Sequence, residues 1–218
     1  MTKLVITGDG SHTLFVPELN EHYHSINGAI RESMHVFINN GFAFSEANPL
    51  HILEIGFGTG LNALLTAIES SAGIRKVYYS SLEKYPLDRA LTEKLNYSGF
   101  CGDQARDIFK KIHISEWDKE TVISENFIFK KTQSDFTADP INGSFDLIYF
   151  DAFGPDKQPE MWTSAIFSKL TAVIRQGGIF VTYSAKGDVK RNLRANGFKV
   201  TLLPGPPGKR HMIRAVKL

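Results

Sequence analysis

The sequence has only one cysteine, Cys101, among its 218 residues. A single thiol cannot form an internal disulfide or a cysteine-based metal cluster, and it suits a reducing compartment. No apolar run approaches the roughly 18 residues that a membrane-spanning helix needs, and the first residues lack the apolar segment of a signal peptide. Hydrophobic residues make up 42% and charged residues 22%, which is typical of one globular domain and excludes a disordered chain. We therefore expect a cytoplasmic protein.

The net charge of +2 conceals an uneven distribution of charge. Residues 186–217 hold nine of the 25 lysines and arginines but only one acidic residue, so the rest of the chain is net acidic. A basic segment on an acidic body is typical of a protein with a polyanionic partner such as nucleic acid. The alternative is a solvated helix followed by an edge strand that is protected by charge.

Strand-like and helix-like segments alternate from residue 51 onward, which predicts a parallel α/β sheet covered by helices. The predicted strands are 51–55, 77–82, 127–132, 145–150, 179–183, 199–203 and 211–216. The predicted helices are 61–69, 86–95, most of 100–124, and 188–196. The last two strands flank a proline- and glycine-rich turn, which predicts an antiparallel hairpin. We expect two units: an appendage of residues 1–50, with a hairpin and a helix over 26–38, packed on a core domain of residues 51–218.

A glycine-rich loop joins the first core strand to the first core helix. Residues 54–60 read Glu-Ile-Gly-Phe-Gly-Thr-Gly, and loops at this position form nucleotide sites in α/β sheets. Residues 58–63 also match the loose dinucleotide pattern G-x-G-x-x-A. The Glu54 carboxylate would repel a pyrophosphate, whereas it suits the ammonium and sulfonium of S-adenosylmethionine. The loop therefore favours S-adenosylmethionine, and an NAD(P)-binding oxidoreductase or a non-catalytic cofactor-binding module is the alternative of another class.

Further acidic residues follow the later predicted strands. Glu83 closes the second strand, Asp135 follows the third, and Asp151 ends the fourth. Because the carboxyl ends of parallel strands meet at one edge of a sheet, we expect these side chains around one ligand. Glu83 suits ribose hydroxyls, Asp135 suits the adenine amino group, and Phe136 suits packing on the adenine ring.

Several segments carry a resemblance to a known family: 54–62 (EIGFGTGLN), 83–86 (EKYP), 151–162 (DAFGPDKQPEMW), 177–198 (GGIFVTYSAKGDVKRNLRANGF) and 208–212 (GKRHM). In this order they resemble the MnmC-like methyltransferase domain family, over residues 23–215. The resemblance implies a class I, Rossmann-like S-adenosylmethionine-dependent methyltransferase. Its sheet would have seven strands, the last of them antiparallel.

The resemblance also implies a substrate. The family N-methylates the aminomethyl group of the wobble uridine in tRNA, converting 5-aminomethyl-2-thiouridine to 5-methylaminomethyl-2-thiouridine. Because the sequence ends after one domain, we expect a separate enzyme to supply the aminomethyl base. The alternative is a methyltransferase that acts on a small-molecule amine or on another RNA base.

The resemblance and the acid pattern together assign cofactor residues. The candidate cofactor-binding residues are Glu54, Gly56, Gly58, Gly60, Asn62, Glu83, Lys84, Asp135, Phe136 and Asp151. Asp151 is also the candidate catalytic residue, which would orient the substrate amine and accept its proton.

The candidate substrate-binding residues are Tyr23, Ser25, Glu32, Phe153, Pro155, Lys157, Trp162, Tyr183, Lys186, Lys209 and Arg210. The aromatic residues suit stacking on a uridine and the basic ones suit phosphate contacts. Core packing, favoured for Trp162, and ordinary surface charge are the alternatives. No metal site is expected, because the histidines lack acidic residues at ligand spacing and methyl transfer from this cofactor needs no metal.

Overall fold

The structure, a computed structural model, describes residues 2–218. Its strands are β1 (Lys3–Ile6), β2 (His12–Val16), β3 (Glu21–His22), β4 (Leu50–Ile55), β5 (Val77–Glu83), β6 (Thr121–Ser124), β7 (Phe127–Gln133), β8 (Phe145–Phe150), β9 (Ile174–Thr182), β10 (Phe198–Pro204) and β11 (His211–Lys217). The first three strands form a small antiparallel sheet. The other eight form the main sheet, in the order β10-β11-β9-β8-β4-β5-β7-β6.

Five neighbouring strands of the main sheet, β9, β8, β4, β5 and β7, run parallel to one another. The last strand, β11, is antiparallel to both of its neighbours. The predicted α/β fold and its antiparallel last strand are therefore confirmed. The predicted count of seven strands differs from the structure, because β6 adds an antiparallel edge strand beside β7. The prediction of mostly helix over 100–124 is wrong at the end of that stretch, where the β-branched residues Val122 and Ile123 favour a strand.

The helices cover both faces of the main sheet. They are α1 (Ala29–Ser33), α2 (Leu61–Ser71), α3 (Arg89–Thr92), α4 (Ala105–Ile114), α5 (Ser164–Val173) and α6 (Gly187–Ala195). Shorter 3₁₀ turns span Tyr97–Phe100 and Pro159–Trp162. The predicted α2 and α6 are confirmed, whereas the predicted helix over 86–95 is reduced to the single turn α3, and α5 was not predicted.

The N-terminal region contributes directly to the packing of the main sheet. Helix α1 continues into a π-helix, Met34–Phe42, and the predicted helix over 26–38 thus begins and ends later than expected. A Cβ added at Gly41 would lie 3.0 Å from the Tyr149 ring and 3.1 Å from Val181, so the π-helix lies directly on β8 and β9. The division into an appendage of 1–50 and a core domain of 51–218 stays a prediction.

The core consists of two apolar layers, one on each face of the main sheet. Ile52 belongs to one layer and Leu53 to the other, and both are fully buried. Burial on both faces is what parallel strands covered by helices require, and it explains why β4 and β8 are almost continuously apolar. No helix within residues 2–218 is long and apolar enough to cross a membrane.

Candidate active site

A cavity of about 740 Å³ opens where the parallel strands β4, β5, β7 and β8 end. Strand β4 lies at the switch point of the sheet, with β5 on one side and β8 on the other, and ligands of α/β sheets bind at such a point. The predicted site residues at its wall are Tyr23, Ser25, Glu32, Gly56, Gly58, Glu83, Lys84, Asp135, Phe136, Asp151, Phe153, Pro155, Lys157, Tyr183, Lys186, Lys209 and Arg210. Four predicted residues are not at the wall: Glu54, Gly60, Asn62 and Trp162.

The loop after β4 depends on its three glycines. Gly56, Gly58 and Gly60 have φ angles of 94°, 50° and 75°, in the left-handed region that side chains disfavour. A Cβ at Gly56 would lie 2.8 Å from the backbone oxygen of Asp151, and one at Gly58 would lie 3.0 Å from the Tyr23 ring. The Gly58 N–H donates to Glu83 Oε2 at 2.9 Å, so the loop is fastened to the end of β5. The loop therefore packs too closely on Asp151 and Tyr23 to carry side chains at these positions, and Gly56 and Gly58 lie at the cavity wall, where their backbone can contact a ligand.

Asp151 follows β8 and lies half-buried at the cavity wall. Asn62 Nδ2, from the first turn of α2, donates to Asp151 Oδ2 at 2.8 Å and fixes the carboxyl group. Burial raises the pKa of Asp151 to about 7, and the nearby charge of Glu32 acts in the same direction, against the hydrogen bond from Asn62 and the charge of Lys209. A carboxyl group with a pKa near neutrality exchanges a proton readily at physiological pH.

Glu54 lies behind the glycine loop and does not reach the cavity. It is fully buried, and its Oε2 accepts a hydrogen bond from Ser81 Oγ at 2.5 Å. Burial raises the pKa of Glu54 to about 8, with a further contribution from the charge of Asp151. Glu54 is therefore mostly neutral at pH 7, so its predicted role as a negative charge facing the cofactor needs correction. Asn62 is likewise at the back of the site, where it orients Asp151.

The acidic residues after β5 and β7 each have partners from the chain. Glu83 accepts hydrogen bonds from the backbone N–H groups of Gly58 and Tyr85, at 2.9 and 2.7 Å. Asp135 forms an ion pair with Lys84 at 2.7 Å, and this contact, with further hydrogen bonds from Thr137, lowers the pKa of Asp135 to about 2.

Phe136 directly follows Asp135 and contributes apolar surface to the cavity. Its side chain is 4% exposed and contacts Phe150 edge-on, and it lies at the cavity wall. Carboxylates beside an apolar ring offer a suitable environment for a purine nucleoside with a cationic tail.

Two distant parts of the chain meet over the cavity. Glu32 in α1 accepts hydrogen bonds from the Ser25 N–H at 2.7 Å and from Lys209 Nζ at 2.6 Å. Lys209 belongs to the turn between β10 and β11, and its Nζ lies 3.7 Å from the centre of the Tyr183 ring. A Cβ at Gly208 in the same turn would clash with Asn27 Nδ2, so this turn packs tightly on the N-terminal segment.

The aromatic residues expected to stack on a base fall into two groups. Phe153 and Tyr183 lie at the cavity wall, and Phe153 contacts the Tyr23 ring edge-on at 5.1 Å. Trp162 is 5% exposed, packs on Phe150 and donates from Nε1 to the Phe153 oxygen at 2.8 Å. Its predicted contact with substrate needs correction, because the structure gives Trp162 the alternative role of supporting the loop that carries Phe153.

The basic residues of 186–217 are partly used by the fold itself. Lys186 forms an ion pair with Asp156 at the rim of the cavity, and Lys209 is held by Glu32. Lys217 Nζ donates to the backbone oxygens of Thr171 and Ile174. Arg210 is exposed at the cavity rim. The basic surface available to a polyanion is therefore smaller than the sequence indicates.

The sequence analysis missed the residues that fasten the middle of the glycine loop. Thr59 Oγ1 lies 2.7 Å from His24 Nε2, and the Thr59 backbone oxygen lies 3.2 Å from His113 Nε2. Burial lowers the pKa of both histidines to about 4, so both are neutral at pH 7. A threonine between two glycines of the loop is the only signal in the sequence, and it does not reveal its partners.

The cavity fits S-adenosylmethionine. The glycine loop gives access to the backbone, the carboxylates Glu83, Asp135 and Glu32 suit hydroxyl, amino and cationic groups, and Phe136 offers an apolar face. Within residues 2–218 no three histidine, cysteine, aspartate or glutamate side chains are grouped closely enough to hold a metal ion.

Comparisons with known proteins agree with this geometry. A family model described as S-adenosyl-L-methionine-dependent methyltransferase matches residues 124–218. The bifunctional protein MnmC of Cupriavidus metallidurans, which is named for tRNA 5-methylaminomethyl-2-thiouridine biosynthesis, is 30% identical over 95% of this chain, which covers 33% of that protein. The protein of the same name from Leptospira interrogans is 30% identical over 96% of this chain, which covers 34% of it. The chain thus spans about a third of the length of these relatives.

The structural comparison extends over the whole chain. The crystal structure of MnmC2 from Aquifex aeolicus matches with a TM-score of 0.79 and 27% identity, covering 100% of this chain and 70% of that one. Spermidine synthase from Thermotoga maritima matches with a TM-score of 0.55 and 13% identity, covering 71% of that chain, which is a likeness of fold alone. Taken with the cavity at the end of β4, these findings show that the chain is similar to the methyltransferase domain of the MnmC proteins and support an S-adenosylmethionine-dependent methyltransferase.

Proposed function

We propose that this chain methylates the amine of 5-aminomethyl-2-thiouridine at the wobble position of tRNA, and that the product is 5-methylaminomethyl-2-thiouridine. The observation that carries the proposal is Asp151, a half-buried carboxyl group with a pKa of about 7 at the wall of the cofactor cavity. The printed names of the relatives support the substrate. Because tRNA is used in translation, the proposal includes a cytoplasmic location.

Several residues of the cavity are suited to hold the cofactor. S-adenosylmethionine supplies, when bound, an electrophilic methyl group on a sulfonium. The backbone at Gly56 and Gly58 would contact it, Glu83 would accept the ribose hydroxyls, and Asp135 and Phe136 would bind the adenine. Glu54 would act indirectly, because it lies behind the loop.

Asp151 would prepare the substrate amine for attack. A free alkyl ammonium has a pKa of about 10, so only about a thousandth is neutral at pH 7, at a cost of about 4 kcal/mol. A carboxylate whose pKa is about 7 accepts a proton more readily than an ordinary aspartate, with a pKa of about 3.9. Asn62 holds the carboxyl group, so Asp151 can both orient the amine and take its proton. Alignment of the amine within the cavity supplies most of the remaining acceleration.

The tRNA would approach the open side of the cavity. Phe153 offers an aromatic ring for a uridine that leaves the anticodon loop, and Lys157 and Arg210 at the rim suit the neighbouring phosphates. The amine must already be exposed on the base, so the substrate comes from a reaction that leaves a free aminomethyl group on the uridine.

The proposal is tested with the purified chain, S-adenosylmethionine and a synthetic anticodon stem-loop that carries 5-aminomethyl-2-thiouridine. Mass spectrometry of the nucleosides should show conversion to the methylamino product, and Asp151→Asn should abolish most of it. The same stem-loop with unmodified uridine is the matched control and should gain no methyl group. Methylation of free small amines, with none on the stem-loop, would overturn the tRNA assignment.

A further inference from the structure

One wall of the cavity surrounds an ammonium group. Lys209 Nζ lies 2.6 Å from Glu32 Oε1 and 3.7 Å from the centre of the Tyr183 ring. A carboxylate on one side and an aromatic face on the other is a common way in which proteins bind an ammonium ion. All three residues line the cavity that contains Asp151.

Glu32 and Tyr183 are held in place by contacts that do not involve Lys209. Glu32 is 5% exposed, and its Oε2 accepts the Ser25 N–H at 2.7 Å. The Tyr183 hydroxyl donates to the Ala152 backbone oxygen at 2.9 Å, and its ring contacts the Trp162 ring edge-on. The two walls are therefore preorganised for a cation.

Lys209 differs from Glu32 in its exposure and in its place in the fold. Its side chain is 34% exposed, compared with 7% for the side chain of Glu32, and it belongs to a turn rather than to a helix or strand. Lysine has a flexible four-carbon side chain that can turn away from the ion pair, but Glu32 would then be a buried charge without a cation, which is costly. An incoming ammonium group would restore the positive charge beside Glu32 and offset that cost.

The ammonium group is close to the proposed proton acceptor. Tyr183 bonds to the residue directly after Asp151, and the charges of Glu32 and Lys209 both act on Asp151. The side-chain amine of lysine and the aminomethyl group of the proposed substrate are the same chemical group, a primary alkylamine. A site that accommodates one also accommodates the other.

We propose that Glu32 and Tyr183 form the subsite that recognises the substrate amine, and that Lys209 fills this subsite until the substrate displaces it. The identity of that amine rests on the proposed function. Glu32 then selects an amine over an uncharged group of the same size, and the Lys209 ammonium competes with the substrate. Once displaced, Lys209 remains near the amine, and its positive charge favours the neutral form of the amine that Asp151 must produce.

The test measures equilibrium binding of two nucleosides in the presence of S-adenosylhomocysteine. The probes are 5-aminomethyluridine and its uncharged counterpart 5-hydroxymethyluridine. Glu32→Gln should weaken the aminomethyl probe about tenfold, the value of a hydrogen bond to a charged group, and leave the hydroxymethyl probe unchanged. Lys209→Gln should tighten the aminomethyl probe several-fold and leave the other unchanged. Glu120→Gln and Lys110→Gln, exposed and remote from the cavity, are the matched controls.

The subsite would be overturned if Glu32→Gln bound the aminomethyl probe as tightly as wild type does. It would also be overturned if Lys209→Gln bound that probe more weakly than wild type does. Lys209→Gln alone decides the question if Glu32→Gln fails to fold, since Lys209 is partly exposed. Methylation assays on the same variants, with S-adenosylmethionine in place of S-adenosylhomocysteine and the modified anticodon stem-loop as substrate, separate the two proposals. If the protein discriminates between the probes but transfers no methyl group, the subsite stands and the proposed function is wrong. If it transfers the methyl group and Glu32→Gln does so equally well, the proposed function stands and the subsite is wrong.

Discussion

Replacing Glu54 with glutamine should stabilise the protein at neutral pH, and the gain should grow as the pH rises. Glu54 is fully buried, and burial raises its pKa from 4.5 to about 8, with the charge of Asp151 adding to the shift and the hydrogen bond from Ser81 opposing it. No cation pairs with it among residues 2–218, and the hydrogen bonds that oppose the shift come from the neutral side chains of Ser81, Asn62 and Tyr79. Glutamine keeps the shape of the side chain and cannot ionise.

The magnitude follows from the two pKa values. The folded pKa lies above the unfolded one, so the stability that the neutral Glu54 provides is complete below pH 4.5 and is lost as the pH rises through about 8. Between these values the unfolded chain releases the proton while the folded chain keeps it. At about 1.36 kcal/mol per pKa unit, the free energy of unfolding of wild type falls by about 3 kcal/mol at pH 7 and by about 5 kcal/mol above pH 8.

Urea unfolding followed by circular dichroism at pH 5, 7 and 8.5 measures this difference. The difference in the free energy of unfolding between Glu54→Gln and wild type should grow over that series. Glu120→Gln, a change at an exposed surface residue, should have the free energy of wild type at each pH. A gap that stays constant or narrows with pH would refute the argument that Glu54 is neutral in the fold. If a stable Glu54→Gln variant lost S-adenosylmethionine binding, that result would support the contact between the Glu54 charge and the cofactor that the sequence predicts.

Further predictions concern the loop, the acid and the rim. Asp151→Asn should lower turnover by about 10²–10⁴-fold, and stopped-time methyl-transfer assays should show a bend near pH 7 in the wild-type profile that the variant lacks, because Asp151 must lose its proton to act as a base; wild-type turnover would exclude this role. Gly56→Ala should cost about 2 kcal/mol in thermal unfolding, since its φ is 94° and its Cβ would clash with a backbone oxygen; an unchanged melting temperature would contradict this. His24→Ala should weaken S-adenosylmethionine binding in calorimetry about fivefold by releasing Thr59, and Thr59→Val should show a similar loss; unaltered affinity in both would mean that the loop holds itself. Arg210→Gln should reduce the salt slope of tRNA binding by about one unit, and an unaltered slope would remove it from the phosphate contacts.

The sheet could be predicted from local patterns because its parallel strands are buried on both faces. Strands β4 and β8 are short apolar runs bounded by glycine or by an acidic residue, and the structure has them within one residue of the predicted bounds. The shorter elements depend on tertiary context. The single turn α3 and the edge strand β6 carry signals too weak to separate from loop or helix, and the neighbours that stabilise them are distant in sequence.

The wall of the cavity could be predicted where a residue lies at or just after the carboxyl end of a parallel strand, as Glu83, Asp135 and Asp151 do. Whether such a residue is buried or faces the cavity could not be predicted in the same way. Glu54 also lies near the carboxyl end of a strand, yet it is fully buried and does not line the cavity, and nothing in the local sequence distinguishes it from Asp151 in this respect.

The ion pair between Glu32 and Lys209 joins positions 177 residues apart. During synthesis, every strand of the parallel sheet is made before the turn that carries Lys209, so the binding chamber acquires its last wall only when the final hairpin of the sheet is in place. A nascent or truncated chain without β11 leaves the Glu32 carboxylate facing an open cleft. The same hairpin completes both hydrophobic layers, because Met212 belongs to one layer and Ile213 and Ala215 to the other, so the growing polypeptide finishes its core and its cavity in a single late step.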